Sequence, residues 1–333
     1  MAARLTVNLP GLVSVKAFGA KGDGVTDDTA AIQNAINSVS SGGGVLFPAE
    51  NFLVDYLTIA ANSISLVGIA GATITKKISG TEGPLLYSTG YSDLVFQGLI
   101  LNGQGQSQTY WNPDAYTNAT NGDNIQLVNC ARARILNVRT RQSARAGIQL
   151  FGCPDCLLDG VWGDNNGYGT ISIYRQTPSN FSSQGSNGTR VIGCRADSDY
   201  CDGIRVVSDA VTVNGCISNN ARLGTTYGAP DNYAGFYLES CRGVVVSGCY
   251  ATGNSNRGID LNNSTGGSYS PTGTADCSIV GNVIVDHANG GIYLGTSRIV
   301  VVGNACNNNG GTDILVAGRG SGHIVGNNSG VQV

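Results

Sequence analysis

From about residue 120 the apolar and polar positions fall into a phrase that keeps returning: Gly-apolar-x-apolar, a turn, then apolar-x-Gly followed by Cys or Asn. Its first half reads GIQL (147–150), TISI (170–173), GIRV (203–206), GFYL (235–238), GIDL (258–261), GIYL (291–294) and DILV (313–316). Its second half ends at Cys194, Cys216, Cys249, Asn282, Asn304 and Asn327, with successive spacings of 22, 33, 33, 22 and 23 residues. A unit of about 22 residues, sometimes lengthened by about eleven, organises the chain. Alternation within each phrase is the period of a strand, and no helical segment is long enough to make a βαβ crossover.

One such unit cannot bury its apolar face alone. Coiling the units, so that each strand pairs with its counterpart one turn later, buries a continuous column of Ile, Val and Leu and pairs the backbone in parallel ladders. The pattern therefore predicts an all-β fold, a single-stranded parallel β-helix whose coils are ~4.8 Å apart. The Gly-Cys and Gly-Asn positions become one column at a turn, where Asn side chains can hydrogen-bond to one another and Cys behaves as a small hydrophobe. On this reading the ten cysteines are free thiols. Cys153-Pro-Asp-Cys156 spells CxxC but lacks the second pair or the βαβ setting of a metal or redox motif.

Residues 14–54 differ in character. Asp27-Asp28-Thr29 can cap a helix with Ile32, Ala35, Ile36 and Val39 on one face, ended by Gly42-Gly43-Gly44 before the strand Val45-Leu46-Phe47. This short N-terminal capping α-helix would cover the otherwise unpaired edge of the first coil. The whole of 1–333 then reads as a single domain, with the cap and first coils in 1–100 and the remaining coils in 101–333. No such lid follows the last repeat, so another subunit or a further domain is expected there, unless the last coil is left open.

Composition narrows the function. With 19 Lys+Arg against 22 Asp+Glu, a formal net charge of −3 and only 12% charged residues, the chain is no basic nucleic-acid binder. The N-terminus lacks the apolar core of a signal peptide, and no stretch approaches the ~20 apolar residues that cross a bilayer. Two histidines, His287 and His323, leave little material for a His-rich metal site or a His-dependent triad.

The phrase Val15-Lys-Ala-Phe18-Gly-Ala-Lys-Gly22-Asp-Gly-Val-Thr26-Asp-Asp-Thr-Ala-Ala-Ile-Gln33-Asn-Ala-Ile36, followed by Gly42-Gly-Gly-Val-Leu-Phe47-Pro48, resembles the N-terminal signature of the pectate-lyase-like β-helix superfamily. Bacteriophage tailspikes and depolymerases, several glycoside hydrolases, polysaccharide lyases and mannuronan epimerases share it. The resemblance implies a right-handed solenoid, a carbohydrate substrate and, closest in type to the tailspikes, a homotrimer. It implies a virion-associated or extracellular protein if the source is a phage, and a cytoplasmic one otherwise. The Asp-Pro-His-Glu element of alginate epimerases has no counterpart here. The nearest phrase to the polygalacturonase aspartates is Asp197-Ser-Asp199-Tyr-Cys-Asp202-Gly203.

In the first strand of each coil the letters between the apolar ones point outward. One outward column runs Gln149, Ser172, Arg205, Tyr237, Asp260, Tyr293, and the other runs Phe151, Tyr174, Val207, Glu239, Asn262, Gly295. Insertions at 175–189, 222–233 and 263–276 would wall this face into a groove. Tyr174, Tyr237 and Tyr293 suit sugar rings, while Arg205, Arg257 and Asn262 can bind hydroxyls or acidic groups.

Glu239 is the only glutamate in the repeats, and Asp260 stands diagonal to it on the next coil. Two carboxyls ~6.5–9.5 Å apart fit an inverting glycosidase. The plainer alternative makes both exposed charges, or partners of Arg205 and Arg257. Asp197, Asp199 and Asp202 form a second acidic cluster, from which Asp202 can join the catalytic pair; Ca²⁺ binding or an ordinary turn are its other uses. No other cofactor is expected. The leading expectation is a tailspike-like endo-glycosidase acting on a bacterial surface or extracellular polysaccharide. A lyase or epimerase on a uronic-acid polymer, with Tyr237 beside Arg205 as base, is the runner-up. A non-catalytic glycan-binding adhesin is the third reading.

Overall fold

The computed structural model describes residues 11–78, 80–107, 122–175, 185–221, 234–262, 274–317 and 321–329. Among these residues three parallel sheets hold 12, 11 and 10 strands, and successive coils contribute a strand in turn to each sheet. The fold is a right-handed parallel β-helix, and its first strand, Leu12–Ser14, already pairs with Gly44–Phe47 of the next coil.

The register is that of the repeat. Ile171, Ile204, Phe236, Ile259, Ile292 and Ile314 succeed one another as direct ladder partners, and all are buried within the solenoid. One continuous apolar core runs from Val15 to Ile314. Burying a Leu- or Ile-sized side chain contributes about 1.5–3 kcal/mol, so the column of stacked aliphatics is the main stabilising term.

All ten cysteines are free and buried. Cys153 and Cys156 turn their sulfurs toward different backbone carbonyls, those of Leu127 and Cys130, so they make no joint site. The predicted Cys/Asn column exists, and it is joined by hydrogen bonds. The Cys216 amide donates to Cys249 Sγ at 3.4 Å, the Cys249 amide to Asn282 Oδ1 at 2.8 Å, and the Asn282 amide to Asn304 Oδ1 at 3.0 Å.

Its last member is Asn328, whose Oδ1 receives the Asn304 amide at 2.9 Å, and not Asn327 as the Gly-Asn spelling suggested. The cause is conformational. The residue before each column member is left-handed, with φ of 58° at Gly193, 62° at Gly215, 60° at Gly248, 65° at Gly281 and 69° at Gly303. In the last coil Asn327 takes that position at φ 52°. Asn tolerates this region better than other side-chain-bearing residues, so the column moves one residue along.

The capping helix α1 spans Thr29–Ser38 and buries Ile32, Ala35 and Ile36. It stops before Val39, which is extended and half-buried, so the helix is shorter than its apolar pattern implied. Asp28 occupies the cap position but gives its carboxylate to the amides of Lys21 and Gly22, at 2.6 and 2.9 Å, and Asp27 accepts the Thr29 amide instead. Gln33 shows how the helix covers the solenoid. Its amide group accepts from the Thr58 amide and donates to the Thr58 carbonyl, both at 2.9 Å, replacing a neighbouring strand at the edge strand Leu57–Thr58.

Candidate active site

The 10-stranded sheet holds the outward columns in register. Gln126, Gln149, Ser172, Arg205, Tyr237, Asp260, Tyr293 and Leu315 are successive ladder partners. Glu239 pairs with Asn262 one step along the same strands, so Glu239 and Asp260 are diagonal neighbours. Two residues along a strand and one coil across correspond to about 8 Å between Cα atoms.

This face is not an open groove, contrary to the expectation that its columns point to solvent. Gln149, Ser172, Arg205, Tyr237 and Asp260 are fully buried, Tyr174 is nearly so, and Glu239 keeps 8% exposure. Arg257, Asn262 and Tyr293 are half-buried. Of the insertions expected to wall the face, 176–184, 222–233 and 263–273 lie outside the described residues. Phe151, Tyr174 and Val207 form a small apolar cluster of their own on this outer side, with Val128 and Tyr168 packed against it.

Two guanidinium groups organise the polar residues. Arg205 donates from Nε to Asp202 Oδ2 at 2.9 Å and from Nη1 to the Tyr174 hydroxyl at 3.3 Å. Nη1 also donates to the Tyr168 hydroxyl, which lies 3.0 Å from that of Tyr174. The Arg205 Cζ stands 4.3 Å from the centre of the Tyr237 ring. On the far side, Arg257 donates to Asp260 Oδ2 at 2.6 Å while its Cζ lies 3.7 Å from the Tyr293 ring centre. The alternative in which Arg257 pairs with Asp260 is therefore what the geometry shows. The ring surfaces of Tyr237 and Tyr293 that were expected to stack on sugars each carry a guanidinium in this state.

Electrostatics separates the members. Burial pushes the Tyr237 hydroxyl far above its ordinary value; Arg205 opposes the shift, and the charges of Glu239, Asp202 and Asp260 add to it. Tyr237 is the ladder partner of Asp260 on one side and of Arg205, which holds Asp202, on the other, and Glu239 follows it two residues along its own strand. Burial also raises the Asp202 carboxyl, again opposed by Arg205 and by hydrogen bonds that include one from the Ala234 amide at 3.0 Å.

The other acidic residues do not cluster. Asp197 faces outward from the 11-stranded sheet, paired with Arg195 and accepting from Trp162 Nε1 at 2.9 Å. Asp199 is buried in a turn, accepting from the Thr170 hydroxyl at 2.7 Å and from the Asn166 amide at 2.9 Å. Only Asp202 of the three reaches Arg205. Among the described residues no three His, Cys, Asp or Glu side chains converge where a metal ion would sit. Tyr168 is the member that sequence reasoning missed. It precedes the TISI strand in the turn Asn166-Gly167-Tyr168-Gly169, outside the alternating columns, and no periodic signal marks it.

Residues 12–251 match the family described as rhamnogalacturonase A/epimerase, pectate lyase-like. The chain belongs to this family. Among relatives of this pectate-lyase-like chain, depolymerase 1 of Klebsiella phage K5-2, described as specific for capsule K30/K69, is 26% identical over 249 residues, 70% of this chain and 29% of its own length. Alginate lyase 7 of Azotobacter vinelandii is 33% identical over 119 residues, 29% of this chain and 14% of its own. The chain thus spans less than a third of either protein. PfbA, a surface adhesin of Streptococcus pneumoniae, superimposes with a TM-score of 0.69 at 18% identity, over 90% of this chain and 79% of that one, a likeness of fold alone. Among the described residues no helix is long and apolar enough to cross a membrane.

Proposed function

We propose that this protein is a polysaccharide-degrading enzyme, an endo-acting glycoside hydrolase with Glu239 and Asp260 as its catalytic pair. The observation that carries this reading is the diagonal register of Glu239 and Asp260 on adjacent coils of one sheet face, with Asp260 clamped by Arg257. Asp260, oriented by Arg257, is the group assigned to take a proton from water. Glu239 keeps some exposure and suits the acid that gives its proton to the leaving glycosidic oxygen. Water oxygen bonds to the anomeric carbon as the carbon–oxygen bond to the leaving sugar breaks. An inverting reaction needs room for that water between the two carboxyls, and a diagonal Cα spacing of about 8 Å is compatible with it. Asp202 positions Arg205 rather than touching substrate. For substrate to meet Asp260, whatever now shields this face must be displaced.

Likeness to a capsule depolymerase supports a bacterial surface polysaccharide as substrate. Elimination on a uronic-acid polymer draws support from the alginate lyase relative. Against its simplest form, the upward shift of the Tyr237 hydroxyl makes this residue a poor base. A panel of capsular polysaccharides and alginate, read by mass spectrometry, tests the proposal. Hydrolysis releases reducing ends, and Glu239→Gln and Asp260→Asn each lower that release by about 10²–10⁴-fold. Full activity in both variants would refute the assignment, an unsaturated product would replace hydrolysis by elimination, and glycan retention without product would favour an adhesin.

A further inference from the structure

Two polar atoms on the outer face have no hydrogen-bond partner among the described residues: Gln149 Oε1, two coils before Arg205, and Ser172 Oγ, one coil before it. Both residues are fully buried. Buried polar side-chain atoms are nearly always paired, and leaving one unpaired is costly. Some other unpaired atoms, such as Ser218 Oγ and Asn254 Nδ2, belong to inward-facing strand and turn positions, where a ligand has no approach. Gln149 and Ser172 are different. Their neighbours Ile148, Leu150, Ile171 and Ile173 line the core, so alternation turns Gln149 and Ser172 to the side that carries the candidate active site.

Their chemistry is complementary. Gln149 Oε1 only accepts, and one hydrogen of its Nε2 goes to the Ser172 carbonyl at 3.2 Å. Ser172 Oγ can donate as well as accept. Being direct ladder partners, the two residues stand ~4.8 Å apart. Side chains one coil apart are close enough for one hydroxyl to engage both, donating to Gln149 and accepting from Ser172. Ser172 is two coil steps, about 10 Å, from Tyr237 along the same column.

We propose that Gln149 and Ser172 form a subsite that reads a single sugar hydroxyl, on a residue of the glycan next to those held at the carboxylates. This rests on the polysaccharide-cleaving reading of the central face, and it adds a specificity determinant upstream of Arg205 that neither charge nor aromatic content marks. The sugar hydroxyl satisfies both orphaned atoms at once, so a glycan lacking it, or carrying it in the other configuration, leaves them unpaired and is rejected.

The test uses the full chain carrying Glu239→Gln, so that bound glycan is not consumed, against an array of capsular, exopolysaccharide and uronan oligosaccharides. Gln149→Leu and Ser172→Ala are then added singly and together. Ser172→Ala removes only an unpaired polar atom, so its Tm is expected to be unchanged or higher, while Gln149→Leu also gives up the bond to the Ser172 carbonyl and is expected to fold with a Tm no more than slightly lower. Each single change weakens binding of the preferred glycan about three- to tenfold. The double variant loses less than the product of the two single losses, because both atoms hold the same hydroxyl. Equal affinity in all variants would overturn the subsite while leaving the central reading intact. Additive losses would overturn the shared hydroxyl. Failure of the Glu239→Gln chain itself to bind any glycan would overturn the central reading, and the subsite with it.

Discussion

Asp199 shows how one residue's environment sets its charge. It is buried in a turn column with Asn166 one coil before, and accepts hydrogen bonds from Thr170 and Asn166, yet burial still pushes its carboxyl up to about 7. Asp123, buried beside the Ala146 amide and Gln126, is pushed up to about 6. A carboxyl that keeps its proton longer when folded stabilises fully below its unfolded value near 3.8, and that contribution is lost as pH rises through the folded value. The contribution of Asp199 to stability is therefore expected to decline from about pH 4 to pH 7, by a few kcal/mol at most, while buried His287, lowered to about 4, contributes in the opposite direction between pH 4 and 6.5. Asp199→Asn supplies the neutral form that Asn166 already has, so its Tm should fall less over that interval. A variant whose Tm follows the wild-type pH profile would show that Asp199 is ionised in the fold.

The same residue marks a limit of sequence reading. Asp197, Asp199 and Asp202 look like one cluster in the chain, but strand alternation and the turn send them to an outer sheet face, a buried turn column and the candidate site respectively. Periodicity gives which side of a strand a residue occupies. It does not reveal how deeply the outer side is shielded, which is why Tyr237 and Arg205 were expected in a groove and are buried.

At the scale of elements, the repeat made the sheets legible because each outward or inward letter has a partner one coil on, and a slip by one residue would expose the whole apolar column. The ends of elements were less legible. Left-handed Asn327 doing the work of a glycine shifted the Asn column to Asn328, and Asp28 serves the preceding loop rather than the helix. Gln33 is the element-scale device with the clearest consequence, since it supplies both backbone partners that the Thr58 edge lacks. Gln33→Ala should cost about 1–3 kcal/mol in denaturant unfolding by leaving those groups unpaired. Gln33→Glu, which can still accept but no longer donate, should fall between the two. Equal stability of all three would mean that the helix covers the edge through its apolar face alone.

At the scale of the whole molecule, a solenoid core that excludes water from every coil should hide its thiols. All ten cysteines are buried and free, so the native protein is expected to react with none of an aromatic disulfide reagent on mixing, and with ten equivalents in denaturant. Rapid native reaction would place part of the cysteine column at the surface. Light scattering tests the expected homotrimer, which predicts three times the mass of one chain; a single-chain mass at working concentration would confine the catalytic machinery to residues of one solenoid.

In the proposed hydrolysis, water activated between the diagonal carboxylates is the group that enters the cleaved bond. Digesting a polysaccharide that the protein cleaves, in water enriched in heavy oxygen, measures this directly. The prediction is that each new reducing end carries the heavy label, and that Glu239→Gln and Asp260→Asn abolish both cleavage and labelling. Cleaved chains without label, bearing an unsaturated end, would contradict it.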